Sequence, residues 1–191
     1  MEKIEYRSDL INSFKFISYS STLLNEEIDS KIVRKIDSID WSQFLTSYGS
    51  AEPLVPKSLK ALFSSNIDVS LSGAHYLLCA LGDKDVSFSP ATFPAYEFLR
   101  KSLLDCDDLI KVSVLYILTG IAFGVTYADY EEDQGFFKLD LDYQEKYPLE
   151  DFEIKLLNYL KADLSIFEKL TLHENQSISE DSIYICECLN L

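Results

Sequence analysis

The sequence predicts an all-α fold, a superhelix of stacked helical hairpins, and three observations predict it. Gly and Pro are scarce, at six and five in 191 residues, which argues against an all-β chain with many tight turns. Apolar residues recur at three- and four-residue spacing along most of the chain, as on a helix with one buried face. Matched positions also recur at nearly one distance: Pro56 and Pro94 are 38 residues apart, and Asp68 and Asp108 are 40 apart. A period near forty, carried by two helices, is the signature of a helical-hairpin solenoid. The length suits a single domain with a real core, and 47% apolar residues mark a folded chain.

Residues 1–39 are predicted as an N-terminal helical hairpin. Leu10, Ile11, Phe14 and Ile17 share one side of its first arm, and Leu24, Ile28, Ile32 and Ile36 mark the second at four-residue spacing. Residues 40–125 are predicted as two helix pairs. "DWSQFLTSYGSAEPLVP" reads as a short helix capped by Asp40 and stopped at Gly49. "PKSLKALFSS" and "DVSLSGAHYLLCAL" form the first pair, and "GDKDVSFSPAT" is a loop. "PAYEFLRKSLL" and "LIKVSVLYILTGIAFG", broken at "DCDD", form the second. Each Pro opens its helix where no amide hydrogen is needed, and Asp68 and Asp108 can cap or oppose the dipole of the second helix.

Residues 149–191 supply C-terminal helices, "DFEIKLLNYLKADLSIFEKLTL" and then "SEDSIYICECLNL", with an acidic first turn at Ser179, Glu180 and Asp181. Phe14, Phe16, Tyr19, Trp41, Phe44, Phe63, Tyr96, Phe98 and Phe123 mostly sit at helical spacing and are assigned to the core. The apolar run Val112 to Val125 is too short to span a bilayer and reads as a buried helix.

The formal net charge is −15, from 32 acids against 17 bases. Such a field repels phosphate backbones and anionic membrane surfaces, and it favours a basic protein partner. The charge concentrates in residues 126–148, predicted as an acidic aromatic loop. "FFKLDLDY" within it alternates apolar and polar residues, so a small β-hairpin is the other form open to it. Tyr is an amphipathic anchor of binding patches, and acids beside it pair with Lys or Arg. The candidate partner-binding residues are therefore Tyr127, Asp129, Tyr130, Glu131, Glu132, Asp133, Phe136, Phe137, Asp140, Asp142 and Tyr143. The bland alternative is a solvated surface loop. Read instead as a calcium loop, Asp129, Glu131, Asp133 and Asp140 occupy ligand positions, but Gly135 stands one place beyond where the turn requires it.

Asp40–Trp41, Tyr48–Gly49 with Ala51, and Pro90–Ala91–Thr92 carry a resemblance. With the helices between them, residues 40–122 resemble a family of bacterial HEAT-like repeat proteins. Its members typically open with Asp-Trp and Tyr-Gly-x-Ala before the first repeat and Pro-Ala-Thr before the second. Residues 82–85 read "GDKD" where that family often has a His-Gln-Gly turn, and Leu71 stands where a basic residue is common. Many such proteins are encoded beside polymorphic or contact-dependent growth-inhibition toxins. The resemblance therefore implies an immunity protein that binds and neutralises a cognate basic toxin domain, a nuclease in the first instance. The expected protein is cytoplasmic and non-enzymatic, with no cofactor, no metal, and no nucleic acid or membrane partner. The alternative is a HEAT-like scaffold or adaptor for cytosolic protein assembly.

Enzyme signatures are weak. His75 and His173 are the only histidines, and His75 lies among apolar neighbours, as a half-buried structural histidine would. No phosphate loop, dinucleotide fingerprint, nucleophile elbow or metalloprotease helix is present. A hydrolase built on paired carboxylates is the third class left open. Cys79, Cys106, Cys186 and Cys188 lack zinc-ligand spacing and read as inert thiols of a reducing cytosol. The first ten residues show no signal peptide.

Overall fold

The computed structural model describes residues 28–46, 49–83, 87–127 and 149–190. The chain is mostly helical, as expected of an all-α fold. The described helices are α1 (Ser30–Asp37), α2 (Leu54–Leu62), α3 (Ile67–Leu81), α4 (Thr92–Asp105), α5 (Asp108–Tyr127), α6 (Leu149–Ala162), α7 (Leu164–Leu170) and α8 (Gln176–Leu189). Two small antiparallel ribbons accompany them: β1 (Leu45–Thr46) with β2 (Gly49–Ser50), and β3 (Gly82–Asp83) with β4 (Ser87–Phe88).

Helices pair along the sequence: α2 packs on α3, α4 on α5, and α8 on α7 with a smaller contact to α6. Neighbouring hairpins then meet like with like, α2 against α4 and α4 against α6, α3 against α5 and α5 against α8. The α4–α6 contact fixes their relative direction. Tyr96 stacks on Tyr159 and, one turn on, Arg100 meets Asp163, so the two helices run parallel at a sequence offset of 63. Helix α5 sits at the centre and buries Ile110, Val114, Leu115, Ile117, Leu118, Ile121 and Ala122. Each of the Val, Leu and Ile side chains among these contributes roughly 1.5–3 kcal/mol of transfer free energy.

The helix starts follow from side-chain caps. Asn66 Oδ1 accepts from the amides of Asp68 (3.0 Å) and Val69 (3.4 Å), and Asp107 Oδ1 accepts from Leu109 N (3.1 Å). Capping thus falls one or two residues before Asp68 and Asp108, which instead place carboxylates in the first turn against the dipole. Helix α8 begins at Gln176 because Asn175 caps Ser177 and Ile178. The expected acidic first turn is therefore interior to α8, where Asp181 is buried and Ser179 donates to Thr171 O at 2.6 Å.

Other expectations are corrected. Helix α1 starts after Ile28, at Ser30, since Asp29 caps it by accepting from Lys31 N at 2.8 Å. "DWSQFLTSYG" is not a helix but a three-residue 3₁₀ turn, Trp41–Gln43, running into the β1–β2 ribbon. Asp40 holds the side chains of Ser42 and Gln43 rather than a backbone amide, and Gly49 supplies the φ of +106° that reverses the chain. The loop at 82–92 contains the β3–β4 ribbon. The apolar run belongs to a 20-residue helix, α5, and this is the one described helix long and apolar enough to cross a membrane by length and composition. It forms the middle of a helix stack, although less than half of its apolar window is buried. The long C-terminal helix is two, broken at Asp163.

Trp41, Tyr96 and Phe98 are buried, and Phe44 and Phe63 pack on the core from its edge, as assigned. Phe123 is half-buried, and Phe14, Phe16 and Tyr19 lie outside the described residues, with most of the expected N-terminal hairpin.

Candidate interaction surface

Of the residues expected to bind a partner, Tyr127 is the last of α5. Asp129, Tyr130, Glu131, Glu132, Asp133, Phe136, Phe137, Asp140, Asp142 and Tyr143 lie outside the described residues, and so do the four calcium-ligand positions among them. They connect α5 to α6, between the second hairpin and the third.

The cysteines are free thiols. Burial pushes Cys106 up to about 11, with Asp105 adding to the effect, and burial is also the main cause raising Cys186 and Cys188. Raised thiols resist ionisation and make poor nucleophiles at neutral pH. His75 is half-buried and its pKa is lowered by desolvation; its Nε2 lies 3.9 Å from Cys79 Sγ, one helical turn on. Among the described residues no group of three or more His, Cys, Asp or Glu side chains could hold a metal ion.

Two arrangements went unseen in the sequence. The first joins α4 to α6 and the α6–α7 break. Asp163 accepts from Tyr96 Oη at 3.1 Å on one carboxylate oxygen and from Arg100 Nε at 2.6 Å on the other. Phe93 and Tyr96 both stack on Tyr159, with centroids 5.3 and 5.5 Å apart, and the Lys155 ammonium lies 6.0 Å over the Phe93 ring. Burial first, and Asp163 second, raises the Tyr96 hydroxyl far above its ordinary pKa. It remains a neutral donor at every physiological pH, which suits a lock between hairpins rather than a catalytic acid or base.

The second lies at the turns that link the two helices of a hairpin. Asp108 pairs with Lys111 at 3.1 Å and faces His173 Nε2 at 3.6 Å. His173 Nδ1 accepts from Asn175 N at 3.1 Å, so the ring proton sits on Nε2 towards Asp108. This contact brings the α7–α8 turn against the α4–α5 turn. Leu104 and Leu109 flank one turn and Leu172 lies in the other, all three exposed. The visible signal was "SLLDCDDLI", in which leucines border an acidic break, but helical periodicity assigns such leucines to a core.

Trp41, Ala51, Ala91 and Thr92, among the motif residues of 40–92, are structural pins. Trp41 Nε1 donates to Ile36 O at 2.9 Å, and the buried Ala51 donates its amide to Phe44 O at 2.9 Å. Ala91 N donates to Leu45 O at 3.1 Å, while Thr92 Oγ1 and Ser89 N both donate to Leu81 O, closing the end of α3. No protein-family model, curated protein or solved structure matches the chain.

Proposed function

We propose that this chain is a cytoplasmic immunity protein, a HEAT-like stack of helical hairpins that binds a basic toxin domain and performs no chemistry itself. The observation that carries the reading is the excess of acid, a net charge of −15, on a scaffold whose hairpins meet helix against matching helix. Opposite potentials accelerate encounter and select a cationic partner. A nuclease grips phosphates with a basic cleft, which an anionic inhibitor can occupy in place of substrate. The like-with-like packing, the parallel α4 and α6, and the period near forty support the HEAT-like assignment. The pinning roles of Trp41, Ala51 and Thr92 give a physical reason for the motifs that carry the family resemblance.

The test is capture of partners from the source organism's lysate at low and high salt, followed by an activity assay on what is held. A basic nuclease that is released as salt rises, and inhibited by one equivalent of this chain, is the expected result. A large neutral assembly replaces the reading with the scaffold. Neutralising Asp129, Glu131, Glu132 and Asp133 together (Asp→Asn, Glu→Gln) is expected to slow association about tenfold at low ionic strength and to flatten its salt dependence. Unchanged association kinetics removes the acidic loop from the interface.

A further inference from the structure

We propose that the basic partner docks on the turn edge of the second and third hairpins, with Leu104, Leu109 and Leu172 as its apolar anchors. The inference deepens the reading of a cationic protein partner and rests on it for the partner's charge. Leu172 is the most exposed large apolar side chain among the described residues, at 87%, and Leu104 and Leu109 are exposed at 57% and 43%. Single exposed apolar residues are ordinary on a protein surface. These three lie on two turns that one contact joins: Leu109 adjoins Asp108, Leu172 adjoins His173, and Asp108 and His173 meet at 3.6 Å. Leu104 lies in the last turn of α4, on the other side of the two-residue link Cys106–Asp107.

Charge says what kind of surface covers them. Asp107 and Glu174 flank the leucines and have no cation within ion-pair distance among the described residues, and the single carboxylate of Asp108 is shared by Lys111 and His173. An apolar centre within an acidic rim fits an apolar side chain flanked by Lys or Arg, with water-excluding contacts in the middle and ion pairs outside. The edge is also held in shape before binding. Asp107 is fixed by its hydrogen bond to Leu109 N, and the α7–α8 turn is closed by Ser179 on Thr171 O and by Asn175 N on His173. Little ordering entropy is then left to lose on docking.

The experiment compares two labelled synthetic peptides of equal charge, one of alternating Lys and Leu blocks and one with Ser in place of Leu, by fluorescence anisotropy. The wild-type chain is expected to bind the Lys/Leu peptide at least about tenfold more tightly. Leu104→Ser/Leu109→Ser/Leu172→Ser is expected to reduce that binding to the Lys/Ser level. Ile154→Ser/Ile183→Ser, which removes two exposed apolar side chains from α6 and α8, is expected to leave it unchanged. A triple variant that keeps the preference, or a control variant that loses it, overturns the proposal. Should the triple variant melt early, Leu172→Ser alone decides, because that side chain is almost fully exposed; it is expected to lose part of the preference, and an unaltered preference overturns the proposal. The two readings fail separately. A nuclease captured from lysate as tightly by the triple variant as by wild type defeats the edge and leaves the function standing. A peptide preference that maps to the edge, with no basic protein in the lysate, does the reverse.

Discussion

The contact within the first hairpin and the contact between the second and third hairpins are built on opposite principles. Helices α2 and α3 approach through small residues. A Cβ on Gly73 would lie 2.7 Å from both Leu62 N and Ser58 O, while Ser70 Oγ donates to Leu62 O and Ala61, Ser72 and Ala74 are buried. Helices α4 and α6 instead meet through large side chains with directional contacts: Tyr96, Tyr159, Arg100 and Asp163. Close backbone approach gives a hairpin many dispersion contacts and no tolerance for added volume. A polar and aromatic seam contributes less per contact but fixes which residue faces which, and hence the step from one hairpin to the next.

The sharpest way to break that contrast is to fill the space at Gly73. Gly73→Ala drives a methyl group into backbone atoms of α2, which cannot rotate away as a side-chain tip could. Overpacking costs up to about 3 kcal/mol, and the better helix propensity of Ala returns about 1 kcal/mol, so a net loss of about 2 kcal/mol is expected in urea unfolding. Gly120, exposed in the middle of α5, has nothing within 4 Å of its ideal Cβ. Gly120→Ala is accordingly expected to gain about 0.5–1 kcal/mol. Two variants of one chemistry with opposite signs test the packing argument directly; a Gly73→Ala chain as stable as wild type would mean that α2 and α3 are not so closely seated.

Asp163→Ala probes the other seam. It leaves the buried Tyr96 hydroxyl without its acceptor, at about 1–2 kcal/mol. Arg100 is partly exposed, so its guanidinium recovers water and adds little to that loss. The expected total is about 1.5 kcal/mol, again by urea unfolding. In the Tyr96→Phe background the cost should fall by about 1 kcal/mol, because the shared bond is already gone. Full additivity of the two changes would show that the hydroxyl and the carboxylate do not act together.

These two regions were unequally legible in the sequence. The hairpins of 54–127 were readable because Pro56 and Pro94 stand at matching helix starts and apolar spacing continues between them. In the third hairpin the helices were readable but the break between α6 and α7 was not, because Asp163 interrupts a helix that periodicity alone would carry through, and its reason lies on Tyr96 and Arg100, in the hairpin before. The caps Asn66 and Asp107 were missed by one or two residues, since several polar residues compete at each start and only geometry picks the one that bends back. The β1–β2 ribbon was hidden because Asp40 looks like a helix cap while its carboxylate serves neighbouring side chains. The exposed edge was missed for a related reason. Leu104 and Leu109 fit a buried helical pattern, and only the packing of α4 and α5 shows that both side chains are left facing solvent.

The smallest effect is expected where neither principle operates. Lys35 on α1 pairs with Glu97 on α4, and the side chains are about half exposed, at 54% and 58%. Both ends remain hydrated, and holding two long side chains in one geometry offsets most of the Coulomb gain. Lys35→Ala is therefore expected to change unfolding free energy by less than about 0.5 kcal/mol, and less again in high salt. The position of α1 should survive that change, because Ile36 is fully buried in the core and Trp41 Nε1 holds the Ile36 carbonyl. Urea unfolding of Lys35→Ala beside Ile36→Ala separates the two supports. A loss of 2 kcal/mol or more for the alanine at 36, against almost none at 35, would place α1 with the close-packed first hairpin rather than with the polar seam. The reverse ranking would mean that the first helix, like the third hairpin, is positioned by directional charge and not by its apolar face.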